Sequence, residues 1–456
     1  MAVFIFFLLS LPPIFFTLRK FKRKDDINFF DINILATFLY FVFIPVYYYL
    51  IGEEYAVDLL EKGKGTFIII EMYIYAIHFF NKLVSKSGKY KKSLLNISYQ
   101  LRMYYSNITF FKKWHLYLIL LILLLNLYSN LSYSNLQGKN LSNADMEAVY
   151  TEQINTKDRI NNKLKGVYYF FLIPTLLYGV IMVKKSPKRV LKNIGWCIIG
   201  ISSIIFLLGS RRPMIAALVF VLLFLYSTSK QKIKKKTILK LAVVFGLIIG
   251  VFFPAYQIYR LVKEYSLLND TNVDFVSVVS SSKDVLLDSD FFQEAKDSNS
   301  KRSLGLFYAL DSAVKNDTYN GWVVWKCITN FMPGAPSLED NVEYQLANTY
   351  AHRGADIADS IIMYGVADFS FIGALFSLFY ILFFYKIYKF FIRVFKKYDE
   401  YYLFSIYFLY KIYDVAFSLE SSPFWSVKNF VTVILYSIIV ASAMYILSKH
   451  NQKIYL

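Results

Sequence analysis

The sequence predicts an all-α polytopic membrane protein with about eleven transmembrane helices and one large extracytoplasmic loop. Three observations carry this. Apolar runs of roughly 17 to 23 residues, the length that crosses about 30 Å of hydrocarbon, recur along the chain. Of the 456 residues, 56% are hydrophobic and 19% aromatic, and the mean hydropathy is +0.41. Such values exclude a disordered chain and do not suit a soluble domain. Finally, the basic residues fall on alternate turns between the apolar runs.

The first span, near 2–18, is followed rather than preceded by its charges, Arg19 to Lys24, and has no small-residue cleavage site. It therefore reads as a transmembrane helix and not as a signal peptide. RKFKRK marks its far end as cytoplasmic and puts the N-terminus outside. Span two, near 30–51, exits into the acidic IGEEYAVDLLEKGKG. Span three, near 66–84, returns to a basic segment holding Lys86, Lys89, Lys91, Lys92, Arg102, Lys112 and Lys113. Span four, near 115–134, leads to the polar loop 135–165, and span five, near 166–183, ends at KKSPKR. Spans six and seven, near 192–208 and 213–228, are joined by the short outward turn GSRR, and seven ends in KQKIKKK. Span eight, near 238–255, opens the long outward stretch. Span nine, near 369–388, ends among Lys389, Arg393, Lys396 and Lys397. Span ten, near 400–417, turns through SLESSPFWSVKN, and span eleven, near 429–447, leaves the C-terminus in the cytoplasm. The chain thus divides into helices over 1–255, an extracytoplasmic loop over 256–368 and closing helices over 369–456.

This topology puts roughly 31 basic against 5 acidic residues on the cytoplasmic side and roughly 19 against 26 outside. The net charge of +19 is then a signal of topology and of anionic lipid, and nucleic acid is not an expected partner. Cys197 lies in an apolar run, Cys327 in the loop, and the four histidines are scattered, so no zinc spacing exists and no metal or other cofactor is expected. No inverted repeat or matched pair of broken helices is apparent, and charges within the spans are sparse, which weighs against a transporter.

Within the loop, KRSLGLFYALDSAVK reads as an amphipathic helix with Leu306, Leu310 and Ala313 on one face. GWVVWKCITNFMP carries aromatics suited to a membrane surface. Pro333 and Pro336 then break the chain, and 338–366 resumes a helical pattern.

The candidate chemistry follows from residue type and predicted side. Arg211 and Arg212 stand in the outward turn between spans six and seven, against the general charge rule. They read either as arginines snorkelling to lipid phosphate or as a bidentate clamp for phosphate or pyrophosphate. Arg260, one turn past span eight, admits the same two readings. His352 and Arg353 lie on the segment returning to span nine, and a helix would put Asp356 and Asp359 on the face of His352. That grouping can orient an imidazole or activate a hydroxyl. Inside the spans, Glu71 and His78 share a face of span three, and Glu420 lies near the outer end of span ten, so Glu71 and Glu420 are candidates to line a polar cavity. Lys411 and Asp414 are spaced to pair.

The turn LLGSRRPMIAALVFVLLF resembles the small-Ser/Thr-Arg turn that opens an apolar span in Wzy-type oligosaccharide repeat-unit polymerases. WVVWKCITNFMPGAPS followed by DSIIMYGVADFSFIGALF is similar to the matching stretch of O-antigen and enterobacterial common antigen polymerases. His352, Gly365 and Gly373 loosely match the His-then-Gly pattern of the related O-antigen ligases. The resemblance implies a GT-C-like fold and a metal-independent glycosyltransferase at the outer face of a bacterial inner membrane. It would move a growing glycan from undecaprenyl pyrophosphate onto a fresh lipid-linked repeat unit of O-antigen or capsule. Its partners would be those lipid-linked oligosaccharides, membrane lipids and a chain-length regulator. Arg211 takes the place of the motif arginine and Arg212 is an extra. Arg211, Arg212, Arg260 and Arg353 would bind pyrophosphate, and His352, Asp356 or Asp359 would serve the acceptor hydroxyl. An O-antigen ligase and a non-enzymatic glycolipid flippase are the alternative readings.

Overall fold

The computed structural model describes residues 2–23, 26–86, 96–108, 110–112, 116–117, 119–125, 127, 172–208, 211–229, 304–323, 325, 360–396, 402–417 and 453–455. The packing described below lies within one compact unit, Met1–Asn126 with Lys163–Thr228 and Ser300–Leu456. The fold is helical. In chain order the described elements are α1 (Ala2–Arg23), α2 (Phe29–Leu50), α3 (Glu54–Lys62), α4 (Lys64–Lys86), α5 (Ile97–Asn107), β1 (Phe110–Lys112), α6 (172–185), α7 (Arg189–Leu208), α8 (Arg211–Thr228), α9 (304–315), α10 (Ile361–Lys396), α11 (Tyr402–Phe417) and β2 (Lys453–Tyr455). Among the described residues, α1, α2, α4 and α10 are long and apolar enough to cross a membrane. Their apolar runs begin and end close to the predicted spans, except at α10. That helix starts eight residues before the expected boundary at 369.

Lipid removes the hydrophobic drive between helices, so polar contacts and close backbone approach must hold them together. Both are present. Pro12 and Pro13 lie inside α1 and supply no N–H to the carbonyls of Leu8 and Leu9. The Tyr75 hydroxyl on α4 donates to the orphaned Leu9 carbonyl at 2.8 Å. α2 has a π-turn over Leu39–Phe43, where the Ile44 N–H reaches back to Leu39 O. Pro45 follows at once and cannot donate to Phe41 O. α2 is also the innermost of the four, with 67% of its apolar window buried against 33% for α1. Its Asn33 accepts from the Tyr73 hydroxyl of α4 at 3.2 Å and donates to the Ala416 carbonyl in the last turn of α11 at 3.0 Å. One amide thus ties three helices and satisfies a helix-end carbonyl. Tyr73→Phe is expected to cost about 0.6 kcal/mol, the ordinary worth of a hydrogen bond between membrane helices, in detergent unfolding measurements.

Two ends can be told apart along α4, whose Thr66 and Asn81 are separated by roughly 22 Å of helix. At the Asn81 end, Lys20 reaches both carboxylate oxygens of the fully buried Asp31, at 2.8 and 3.0 Å. Asn81 donates to Asp31 at 2.8 Å, and Asn28 closes a capping box with it at the start of α2. Nearby, Asp26 pairs with Arg102 of α5 and accepts from Asn96. Lys185 donates to Ile108 O, Lys184 to the Thr228 hydroxyl, and the Tyr226 hydroxyl to Phe21 O. These turns are the ones that the charge pattern assigns to a single side. β1 and β2 pair antiparallel, Phe111 opposite Ile454, so the C-terminal segment and the stretch after α5 meet.

At the Thr66 end, α9 docks on the α3–α4 corner. Thr66 donates to Asp311 at 2.8 Å, Lys315 pairs with the same carboxylate, and Phe67 carries an aromatic stack from Phe6 to Phe307. Leu306, Leu310 and Ala313 are buried on the face the sequence predicts.

Candidate functional site

The candidate site is the Thr66 end, where the long loop returns to the helices. Its geometry is set by a break in α10. Phe369 (φ −134°, ψ 19°) and Ser370 (φ 52°, ψ −139°) are non-helical and divide it into a short leading helix, 361–368, and a long one. No proline causes this break. Gly365 and Gly373, four residues either side of Phe369, lie in backbone contact, and a Cβ on either would collide with the backbone of the other. Gly373→Val is therefore expected to deny the break and sharply lower the yield of monodisperse protein on size-exclusion chromatography.

Ser360 caps the leading helix, its buried hydroxyl accepting from Met363 N at 3.0 Å. The segment after α9 then closes over the break. Asn320 and Gly321 turn the chain with positive φ, Tyr319 N donates to Ala367 O at 2.9 Å, and Val323 N donates to the Asp368 carboxylate at 2.9 Å. Asp368 is fully buried. At the α3 corner, burial pushes the Tyr55 phenol up, with Tyr308 adding to it, and the two rings lie 6.2 Å apart.

α8 begins with Arg211 and Arg212. Its far end, Thr228, is held by Lys184 at the opposite end of the unit, so roughly 26 Å of helix carries the two arginines away from that contact. The first turn of α8 contains no acidic residue. A helix N-terminus is already the positive end of the backbone dipole, so two cations there are unfavourable unless an anion meets them.

Of the other residues singled out from sequence, Glu71 is partly exposed on α4, flanked on its face by Ile68 and Tyr75 at 60% and 41% exposure. His78, on the same face, packs edge-on to Phe16 at 5.0 Å, and its Nδ1 has no hydrogen-bond partner among the described residues. Lys411 and Asp414 pair at 3.1 Å, as their spacing predicts. Arg260, His352, Arg353, Asp356, Asp359 and Glu420 lie outside the described residues. Asp359 is the sequence neighbour of the cap Ser360.

Sequence reasoning missed Asp368 and the helix break. The signal was available: Asp368 is the one carboxylate in the apolar run over 360–388, and two glycines eight apart stand among bulky neighbours there. No family model, curated protein or solved structure matches this chain.

Proposed function

We propose that this protein polymerises lipid-pyrophosphate-linked oligosaccharide repeat units into a surface polysaccharide at the outer face of a bacterial inner membrane. The observation that carries the reading is the start of α8. Two arginines open a helix at the end opposite the gathered basic turns, in a first turn without acid. A lipid pyrophosphate leaving group develops negative charge at the headgroup plane, and guanidinium donors on a helix N-terminus stabilise that charge. The acceptor sugar hydroxyl needs a base or an orienting group, the part assigned to His352, Asp356 or Asp359. Their segment joins the helices at Ser360 and the α10 break, which supports a role at the same surface. A chain-length regulator and further lipid-linked repeat units are the expected partners, and no cofactor is invoked.

The test is deletion of the gene followed by gel analysis of surface polysaccharide. The expected result is single-repeat glycan with no ladder. Loss of all repeats from the acceptor lipid would instead indicate a ligase, and an unaltered ladder would overturn both.

A further inference from the structure

α6 ends at Lys184 and Lys185, where it meets the last turns of α5 and α8. Both ammonium groups lie over one ring, that of Tyr105 on α5, at 5.1 and 4.5 Å from its centroid. The ring is itself set edge-on against Phe224 of α8. Each lysine spends one donor on the protein: Lys184 on the Thr228 hydroxyl at 2.9 Å and Lys185 on Ile108 O at 2.6 Å.

Cation capping of helix ends accounts for one bond apiece. It does not account for two like charges gathered on one ring. An ammonium has three donors, so two on each remain without a partner among the described residues. The carboxylates described at this end are already engaged, Asp26 by Arg102 and Asp31 by Lys20. Burial lowers the pKa of both lysines, and no carboxylate among the described residues opposes that shift. Lys185 is half-buried and Lys184 exposed, so the pair opens outward, and the exposed Lys188, Arg189 and Lys192 follow it along the chain.

We propose that Lys184 and Lys185, held over Tyr105 between α5, α6 and α8, form a binding site for a phosphate anion, whose ligand is the headgroup of an anionic phospholipid in the cytoplasmic leaflet. Basic recesses between helices at this membrane face suit such headgroups, and the charge pattern assigns this end to the cytoplasm. The site is independent of the reaction proposed above.

The full chain in phosphatidylcholine nanodiscs, with and without phosphatidylglycerol, provides the test. Native mass spectrometry reads retained lipid, and thermal unfolding reads stability. The wild type should retain phosphatidylglycerol and unfold at a higher temperature in its presence. K184Q/K185Q should bind that lipid about thirty-fold more weakly and gain no stabilisation from it over its own midpoint in phosphatidylcholine. K184R/K185R should keep the lipid. If the double variant fails to fold, Lys184→Gln alone, which removes one surface hydrogen bond, should still lose about fivefold in affinity. Equal retention by wild type and the glutamine variants would overturn the site. Inorganic phosphate added to phosphatidylcholine discs should leave the midpoint unchanged. A rise in wild type alone would assign the site to a soluble phosphate and overturn the lipid as its ligand.

Discussion

Replacing Arg211 with alanine is expected to abolish long-chain surface glycan while the protein stays in the membrane at its normal level. The two halves of this expectation have separate physical causes. The first concerns charge that develops on a lipid pyrophosphate as the glycosidic bond breaks. Removing one preorganised donor from such a site lowers the rate by about a hundred- to a thousand-fold. The second concerns the helix. Arg211 sits in the first turn of α8, which itself contains no acidic residue. A cation there works against the helix dipole by about 0.3–1 kcal/mol, so alanine should leave the fold unharmed or slightly firmer. Arg211→Lys keeps the charge but loses the planar fork, and should retain only part of the activity. Membrane immunoblots and polysaccharide gels read the two halves separately. Normal long-chain glycan from the alanine variant would remove Arg211 from the chemistry.

Asp31→Ala should have the largest effect on stability of any single change in the described residues. Its carboxylate is fully buried, accepts from Lys20 and Asn81, and takes part in the capping box of α2. Truncation strands an ammonium whose side chain is only 14% exposed, together with two polar groups that no longer have an acceptor. Breaking a buried pair from one side costs about 3–5 kcal/mol. Removing both charges as Lys20→Met with Asp31→Leu should recover much of that loss, because no buried charge is left alone. Detergent unfolding of Lys20→Met, Asp31→Leu and the double variant measures the coupling. A double variant as unstable as the sum of the singles would show that the pair acts independently.

The helices were legible because crossing a bilayer imposes a length and a composition that no tertiary contact is needed to reveal. The charges sorted the turns into two groups. Segments assigned to one side do meet: Lys20 with Asn81, Asp26 with Arg102, Lys184 with Thr228. The face of α9 could be read from Leu306, Leu310 and Ala313, but not its destination at Thr66, which lies 245 positions away in the chain. Periodicity shows which face is buried and is silent about the partner. The break in α10 escaped for a related reason. It contains no proline, and the sequence, which begins span nine at 369, does not show that a helix runs up to that point and breaks there. The backbone at Phe369 and Ser370 and the apposition of Gly365 with Gly373 reveal it. The candidate site was read from the sequence as a set of residue types at the predicted outer side and within the spans. Of that set, the described structure bears on the start of α8, on Glu71 and on the frame at Ser360 and Asp368.

The most direct test of the polymerase reading is to reconstitute the purified chain in proteoliposomes with a lipid-pyrophosphate-linked repeat unit as the only substrate. The reading predicts a ladder of glycans lengthening one repeat at a time on the lipid carrier, absent from the Arg211→Ala protein. A repeat unit that stays unextended, or that only crosses the bilayer, would contradict it.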